Sequence, residues 1–251
     1  MKKKLVIITD CTDIAYSEIR ATIISYLGKE VDNVDIEPVV TVAPFSIVNG
    51  SFVLRLMTEC YPENTIFSIV LNPLKERTER IMIKTKKKNF TIFTTNTGVL
   101  GWLINDLGCD VAYEINDPGF LPFGGKYIHA PAVGKYLSGI PIEQIAKPFD
   151  ADKIRKLKIE EGTIVHIDNF GLIKIFYDPN KLKMDYNYIV EVNNNKLELQ
   201  FNKRLMSLED GKWAIFPGSS LGLLELGCAR VNGAILLKAN VGDIVIISDS
   251  K

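Results

Sequence analysis

The sequence has few of the residues on which many catalytic and metal sites depend. Its 251 residues include two histidines, His129 and His166, and four cysteines that form no CxxC pair. We therefore expect neither a zinc site nor a disulfide framework, and free thiols are typical of the reducing cytoplasm. Neither GxGxxG nor GxxxxGK[ST] occurs. The sequence thus predicts no phosphate cradle for a dinucleotide or a nucleoside triphosphate, and no bound cofactor.

The chain also lacks an excess of charge and long apolar runs. Thirty Lys and Arg residues balance thirty Asp and Glu residues, which gives no electrostatic reason to expect a nucleic-acid or membrane partner. No apolar run approaches the roughly 18 residues that cross a bilayer. The apolar stretch after the N-terminal lysines ends at Asp10. We interpret that stretch as the first strand of a cytoplasmic protein rather than as a signal peptide.

Residues 1–149 alternate short apolar runs with segments of helical spacing, which favours an α/β domain. Runs rich in Val, Ile and Phe predict buried strands at residues 5–9, 66–71, 90–95 and 110–115. Helical spacing predicts a helix that ends at Gly28 and further helices at residues 48–60, 98–107 and 131–140. We predict a mostly parallel sheet with helices on both faces.

The pattern changes after residue 149. Residues 150–161 are rich in charge and predict a linker, and residues 162–251 consist of short strand-like runs separated by tight turns. The three consecutive asparagines at 193–195 predict a hairpin turn. Strands are predicted at residues 163–168, 172–177, 188–192, 197–201, 213–216, 234–238 and 243–248. We therefore predict a small all-β barrel as the second domain.

Polar residues follow three of the predicted strands in the first domain. These residues are Asp10, Asn72 and the neighbouring pair Asn96 and Thr97. Ligands of open α/β sheets bind at the carboxyl ends of the strands, so we expect these residues to line one crevice. An acid and several amides without a phosphate loop suit an uncharged sugar or a nucleoside, with Asp10 accepting from both ribose hydroxyls. The alternative role of Asp10 is to cap the helix that follows.

Eight short motifs, in order and spread over nearly the whole chain, resemble those of the S-adenosyl-L-methionine (SAM) hydroxide adenosyltransferases, the family that also contains the fluorinases. The corresponding segments are Thr9-Asp10-Cys11-Thr12, Pro44-Phe45, Tyr61-Pro62-Glu63-Asn64-Thr65, Val70-Leu71-Asn72-Pro73 with Arg80 further on, Thr95-Asn96-Thr97-Gly98, the segment from Gly124 to Pro131, Asp168-Asn169-Phe170-Gly171-Leu172, and the segment from Ser219 to Glu225.

The resemblance implies an α/β domain followed by a β-barrel, assembled as a homotrimer that holds SAM between neighbouring subunits. It also implies a reaction in which water attacks the 5′ carbon of the ribose and expels methionine, leaving adenosine. The sulfonium is already a cationic leaving group, so the enzyme has mainly to place the water and offset its developing charge. SAM is then a substrate or a ligand rather than a cofactor.

Carried over residue by residue, the resemblance implies a set of substrate-binding positions. Asp10 corresponds to the ribose-binding acid, and Phe45 to an aromatic residue that covers the sugar. Asp168 corresponds to the acid that meets the ammonium group, Phe170 to the ring that stacks on adenine, and Ser220 to a serine near the carboxylate. Asn96 and Thr97 lie in the motif at the third strand end. Leu172 replaces an asparagine that reads the adenine edge, which leaves the preferred base open.

The catalytic positions depart from the family pattern of Asp, Arg and His. Asn72 stands at the acid position, and an amide orients water but does not take its proton. Gly124 stands at the histidine position, and Arg80 or Arg77 corresponds to the arginine. We interpret His129 as a satisfied or surface histidine, and Glu76 or Glu79 as a candidate substitute base.

Two functions therefore remain open from the sequence. The first is a SAM hydrolase with a weakened catalytic apparatus, in which Asn72 and Arg80 act on the water. The alternative is a non-catalytic trimer that binds SAM or adenosine. An anion nucleophile ranks last, because the Tyr-Ser pair of the fluorinases has no counterpart here.

Overall fold

The computed structural model describes residues 2–71, 76–119 and 121–250. Asn72, the residue predicted at the catalytic acid position, lies outside the described residues. The chain divides into two units, Met1–Leu157 and Lys158–Lys251. Residues 150–157, which the sequence assigns to a linker, therefore belong to the first unit.

The first unit is built on an eight-stranded sheet with the strand order β2-β1-β4-β6-β5-β7-β8, in which β3 also pairs with β1. The strands are β1 Lys3–Thr9, β2 Val34–Ile36, β3 Val40–Thr41, β4 Ile66–Val70, β5 Arg80–Thr85, β6 Thr91–Thr95, β7 Cys109–Ile115 and β8 Ala146–Pro148.

This sheet is mixed, whereas the sequence predicts a mostly parallel one. The strand β1 runs parallel to β2, β3 and β4, and β4 runs parallel to β6. The sequence pattern missed β5, which pairs antiparallel with both β6 and β7. Its buried apolar run, Ile81, Met82 and Ile83, is only three residues long and has charged residues at both ends, so periodicity alone does not identify it. The strand β8 adds a further antiparallel pair at the edge.

The helices of the first unit lie between these strands. They are α1 Ile14–Leu27, α2 Ile47–Cys60, α3 Gly101–Leu107, α4 Ala130–Leu137 and α5 Ile142–Ile145. One core cluster contains Leu5 and Ile7 of β1 together with residues of α1 and α4. Side chains alternate across a strand, so Val6 and Ile8 of β1, which are also fully buried, face the other side. The helix α2 contacts β1 and has buried residues of its own outside that cluster.

Side-chain caps determine where two of these helices begin. The Asp13 carboxylate accepts a 3.0 Å hydrogen bond from the Ala15 amide, and the Ser46 hydroxyl accepts one from the Asn49 amide. Each satisfies an amide that lacks an intrahelical partner. The cap of α1 is thus Asp13, and the alternative interpretation of Asp10 as that cap is wrong.

The second unit consists of two antiparallel sheets. Its strands are β9 Ile164–Ile167, β10 Ile173–Ile175, β11 Asn187–Val192, β12 Asn195–Gln200, β13 Trp213–Pro217, β14 Leu224–Cys228 and β15 Ile246–Asp249. The strand order is β13-β14-β10-β9 in the first sheet and β12-β11-β15 in the second. Residues from both sheets share one core cluster. The described strands form no closed sheet, so the predicted barrel is not confirmed.

Two local predictions in the second unit have different outcomes. The asparagine turn is confirmed: Asn193 and Asn194 adopt positive φ angles of 48° and 63° between β11 and β12, as a two-residue hairpin turn requires. The predicted strand at 234–238 is wrong, because Gly233–Leu237 forms the helix α6. The Asn232 side-chain oxygen caps this helix by accepting from the Ile235 amide at 3.0 Å, and a short apolar run does not distinguish helix from strand.

In the described part of the chain, none of the helices combines the length and the apolarity that crossing a bilayer requires.

Candidate functional site

A cavity of about 300 Å³ lies where three neighbouring strands of the first unit end. The strands β1, β4 and β6 are adjacent and parallel, so their carboxyl ends meet at one edge of the sheet, as expected for a ligand site in an open sheet. The strand-end residues that line the cavity are Cys11, Val70, Leu71, Thr95 and Thr97. Burial raises the pKa of the Cys11 thiol despite its hydrogen bond with Thr9, so this thiol is not activated as a nucleophile.

Arg80 places a guanidinium in the cavity wall. It is the first residue of β5 and lies opposite Thr95, the last residue of β6, which puts it at the same edge of the sheet. Its Nη1 donates to Asp117 Oδ2 at 2.7 Å, and Arg77 donates to the other oxygen of the same carboxylate. Burial lowers the pKa of Arg80, and the Asp117 charge opposes that effect. The carboxylate thus holds a half-buried guanidinium in place at the cavity.

The space that a histidine at position 124 would need is taken by Arg80. A Cβ added to Gly124 would overlap Nη2 of Arg80 and lie 2.8 Å from its Cζ. Both residues line the cavity. Glycine at this position therefore accommodates the guanidinium, and an imidazole on this backbone atom requires Arg80 to move.

Two threonine hydroxyls in the cavity wall have no hydrogen-bond partner among the described residues. They belong to Thr78 and Thr97, which are 7% and 9% exposed. A buried hydroxyl without a partner costs about 1–3 kcal/mol, and such orphan groups often mark a site where a ligand or a water completes the network. Thr97 is one of the predicted substrate-binding residues.

His129 also lines the cavity. The side chain is 2% exposed, and its Nε2 lies 3.0 Å from the Ser68 hydroxyl. Burial, assisted by the charge of Arg80, lowers the pKa of His129 to about 3. The ring is therefore neutral at physiological pH. The sequence interpretation as a satisfied histidine agrees with the Ser68 contact, but it missed the position of the ring at the cavity.

Asp10 and Phe45 lie beside each other at the end of β1. The Phe45 amide donates to Asp10 Oδ2 at 3.0 Å, and Cys11 Sγ lies 3.9 Å from Asp10 Oδ1. Phe45 adopts a positive φ of 59°, and its ring is 66% exposed. Neither Asp10 nor Phe45 is among the described residues that line the cavity, whereas Cys11, the residue after Asp10, does line it.

Asn96 is engaged within the protein. Its amide donates to Glu79 Oε2 at 3.1 Å and to the Lys153 carbonyl at 3.2 Å, and its Oδ1 accepts from the Arg155 amide at 2.8 Å. Hydrogen bonds of Asn96 thus link the end of β6 to residues 153–155. Of the two candidate substitute bases, Glu79 contacts Asn96, and Glu76 lines the cavity.

The predicted residues of the second unit lie on two turns. Asp168 Oδ1 accepts from the amides of Phe170 and Leu172, both at 3.0 Å, which closes the turn between β9 and β10. The Phe170 ring on this turn is 71% exposed. Ser220 lies on the turn between β13 and β14, where its carbonyl accepts from the Leu223 amide. An exposed aromatic face on a tight turn is available for stacking.

Sequence reasoning missed Asp117, although the same rule that selected Asp10 would have found it. Asp117 follows β7, and β7 is antiparallel to β5, so its end lies beside the start of β5 and beside Arg80. Burial opposes ionisation of Asp117, but hydrogen bonds from Arg77 and the Gly119 amide and the charge of Arg80 keep its pKa below the usual value. Without β5 in the predicted sheet, this neighbourhood was not visible.

Comparisons with known proteins agree with this architecture. Over 97% of this chain and 99% of the other, the fold is similar to that of an uncharacterized conserved protein from Thermotoga maritima, with a TM-score of 0.80 and 21% identity. A conserved hypothetical protein from Thermus thermophilus has a TM-score of 0.75 and 17% identity over 98% of this chain and 100% of the other.

The sequence profile of the SAM hydroxide adenosyltransferase N-terminal domain matches residues 5–146, which include every residue that lines the cavity. Because this match spans more than half of the 251 residues, the chain belongs to the SAM hydroxide adenosyltransferase family.

Proposed function

We propose that the protein binds SAM and hydrolyses it to adenosine and methionine, with water attacking the 5′ carbon of the ribose. The observation that carries this proposal is the cavity at the ends of β1, β4 and β6, because it lies within the family-matched segment and holds a fixed guanidinium in its wall. The reaction needs little acid assistance, since the leaving sulfur departs as a neutral thioether. Positioning of the water then accounts for most of the catalysis.

The residues of the first unit have distinct roles in this proposal. Asp10 accepts hydrogen bonds from the ribose hydroxyls, and the exposed Phe45 ring beside it covers the sugar. Arg80 donates to the oxygen of the attacking water and so directs a lone pair toward the 5′ carbon. Asn72 is proposed to orient the same water, and Thr97 donates its hydroxyl to the ligand.

A non-catalytic SAM or adenosine binder is the second candidate. Two observations favour it: the family's acid and histidine positions hold Asn72 and Gly124, and Arg80 occupies the space beside Gly124. Loss of a general base typically lowers a rate by on the order of 10²–10⁴, so a slow enzyme and a pure binder differ only in whether product accumulates.

The test separates these two candidates by product analysis. Purified protein is incubated with SAM, adenosine and methionine are quantified by chromatography with mass detection, and SAM and adenosine affinities are measured by calorimetry. Equimolar adenosine and methionine above the no-enzyme rate support the hydrolase. Saturable binding without product supports the binder, and absence of both results rejects both proposals.

A pair of acidic residues in the first unit provides a matched control. Asp10→Ala should weaken SAM binding by on the order of tenfold to a hundredfold, because it removes hydrogen bonds to a charged acceptor. Asp13→Ala removes only the cap of α1. It should lower the free energy of unfolding by about 1 kcal/mol and leave the affinity unchanged. Equal affinities of the two variants would contradict the role of Asp10.

We further propose a homotrimer in which the second unit of a neighbouring copy supplies Asp168, Phe170 and Ser220 to the ligand. The support is the family resemblance and the exposed Phe170 ring on its turn. Light scattering after size exclusion measures the oligomeric state. Phe170→Ala should weaken adenosine binding at least tenfold, whereas Met206→Ala, which removes another exposed apolar side chain of this unit, should not. A monomer that binds adenosine normally would reject this assembly.

A further inference from the structure

His129 and Gly124 face the same cavity from consecutive turns of the chain. Residues Gly125–His129 form a π-helix, in which the Ala130 amide donates to the Gly125 carbonyl five residues earlier. A side chain five residues after Gly124 is therefore brought to the side of the helix on which Gly124 lies, and both residues line the cavity. A single π turn inside a helical segment is often found at a functional site.

We propose that His129 supplies the imidazole that position 124 lacks and that it accepts the proton of the attacking water. This inference rests on the proposed hydrolysis of SAM. Gly124 stands at the histidine position of the family pattern but has no side chain, and Arg80 fills the volume next to it. An imidazole reaches this cavity only from another position. His166, the second histidine of the chain, is on β9 of the second unit.

The surroundings of His129 hold the ring in one orientation. Its Nε2 contacts the Ser68 hydroxyl at 3.0 Å, and the Phe93 ring packs against it edge-on, with 6.3 Å between the centroids. Ser68 is fully buried on β4 and does not line the cavity. When Nε2–H donates to this hydroxyl, Nδ1 carries the ring's lone pair and is the nitrogen that accepts from a molecule in the cavity.

Arg80 and His129 contact different atoms of the attacking water. The Arg80 guanidinium donates to the water oxygen and the neutral imidazole accepts one of its protons, so that a lone pair is directed at the 5′ carbon. Because burial and Arg80 keep the ring unprotonated, its acceptor nitrogen is present at every physiological pH. The ring is a weak base, and a weak base suffices when the proton leaves after the new carbon–oxygen bond has begun to form.

The proton leaves late in this step. The water oxygen forms a bond to the 5′ carbon while the carbon–sulfur bond breaks, and the electron pair of that bond stays on the sulfur of methionine. The new 5′ oxygen is then a protonated alcohol, which is a far stronger acid than an imidazolium. Nδ1 of His129 takes this proton, leaves adenosine with a neutral 5′ hydroxyl, and later releases the proton to solvent.

The first test compares variants of the two histidines. His129→Gln keeps a hydrogen-bonding group near Ser68 but removes Nδ1, whereas His129→Asn places an amide near the Nδ1 position. We expect His129→Gln to lower kcat by on the order of 10²–10³ with adenosine Kd within threefold of wild type. His129→Asn should recover at least tenfold of that loss, and His166→Gln should leave kcat unchanged. A His129→Gln kcat within threefold of wild type would overturn the proposal.

A second measurement tests the inference without altering His129, in case its variants fail to fold. In the His166→Gln protein, His129 is the only histidine, so histidine-selective ¹⁵N labelling gives one ring to observe. Saturating adenosine with methionine should shift the Nδ1 resonance and leave Nε2 in its bonded state. An unchanged Nδ1 in a protein that calorimetry shows to be ligated would overturn the role of His129. A wild-type protein that binds without turnover, but with a shifted Nδ1, would reject the hydrolysis and the proton transfer while locating the ring at the ligand.

Discussion

Asn96 and Glu79 are joined by one backbone hydrogen bond and one side-chain hydrogen bond. The Asn96 amide N–H donates to the Glu79 carbonyl at 2.8 Å, and its side-chain amide donates to Glu79 Oε2 at 3.1 Å. Hydrogen bonds to the Glu79 carboxylate from its own amide and from Asn96 keep its pKa below the usual value. The end of β6 and the segment before β5 are thereby fixed to each other, next to the cavity.

Asn96→Ala should therefore lower the free energy of unfolding, and this is its main expected effect. The change removes three side-chain hydrogen bonds at a residue that is 3% exposed, and it leaves the Arg155 amide and the Lys153 carbonyl without this partner. We expect the free energy of unfolding to fall by about 2–4 kcal/mol, measured by urea denaturation. The neighbouring change Thr97→Val is the control, because it removes a hydroxyl that has no partner among the described residues.

Thr97→Val should leave the free energy of unfolding unchanged or raise it by up to about 1 kcal/mol, since an unpaired buried hydroxyl is replaced by an apolar group of similar shape. If Thr97 donates to the ligand, the same variant weakens adenosine binding. A Thr97→Val protein as destabilised as Asn96→Ala would contradict this contrast.

Gly124→Ala tests the contact between position 124 and Arg80. The added methyl group displaces the guanidinium and separates it from Asp117. Because the side chains of Arg80 and Asp117 are 17% and 19% exposed, we expect a cost of about 1–2 kcal/mol in the free energy of unfolding.

A double-mutant cycle with Asp117→Asn tests whether Gly124→Ala destabilises the protein by disturbing the Arg80–Asp117 ion pair. In the Asp117→Asn background the ion pair is already weakened, so Gly124→Ala should cost less there, and the coupling energy from the double-mutant cycle should be about 1 kcal/mol. Additive free-energy changes would show that Arg80 does not transmit the effect of the methyl group.

The sequence predicts the strands of the first unit that carry long apolar runs and misses β5, an interior strand with a short one. The run at residues 66–71 corresponds to β4, Ile66–Val70, since a strand with parallel neighbours on both sides is apolar throughout. The strand β5 was missed because only three apolar residues lie between the charged residues Arg80 and Lys84. Without β5, the sequence could not predict that Asp117 pairs with Arg80, because the antiparallel pairing of β5 and β7 brings that carboxylate to the guanidinium.

The candidate site was predictable where it depends on strand order and not where it depends on side-chain packing. The strand-end rule selected Thr97, which lines the cavity, and also Asn96, whose amide is bound within the protein. Both residues follow one strand, and the direction of each side chain is decided by tertiary contacts. The place of His129 depends on a π turn, whose extra residue has no signature in hydrophobic periodicity.

A buried ion pair in the second unit provides an independent test of its packing. Lys174 and Glu225 are directly opposite on β10 and β14, with Nζ 2.5 Å from Oε1 and side chains 10% and 5% exposed. Lys174→Met leaves the Glu225 carboxylate buried without this partner, so we expect a loss of about 3–5 kcal/mol in the free energy of unfolding.

The matched control is the double variant Lys174→Met with Glu225→Leu. Replacing both charges by apolar groups of similar volume is often neutral or stabilising, so this protein should regain most of the stability, as measured by urea denaturation. A double variant no more stable than Lys174→Met alone would show that the pair contributes through its shape rather than through its charge.

The burial of His129 should make the free energy of unfolding decrease as the pH is lowered. The pKa of the folded state is about 3, below the ordinary value of 6.5, so the unfolded chain binds the proton first as the pH falls. The stabilising contribution is complete above pH 6.5 and is lost as the pH falls from 6.5 towards 3. By linkage, this histidine alone should cost about 2–3 kcal/mol between about pH 6 and pH 4.

His129→Gln removes this titration while the carboxylates of the protein remain, so its free energy of unfolding should fall less steeply than that of wild type over the same interval. Urea denaturation at half-unit steps of pH measures both curves. His166→Gln is the comparison, because burial also lowers the pKa of His166, assisted by Lys174, and its removal should flatten the curve in the same direction. Parallel curves for wild type and His129→Gln would mean that the ring is protonated without penalty in the folded protein. The pKa of His129 would then lie near the ordinary value of 6.5, which would contradict the burial of the ring as the reason that it stays neutral throughout the physiological range.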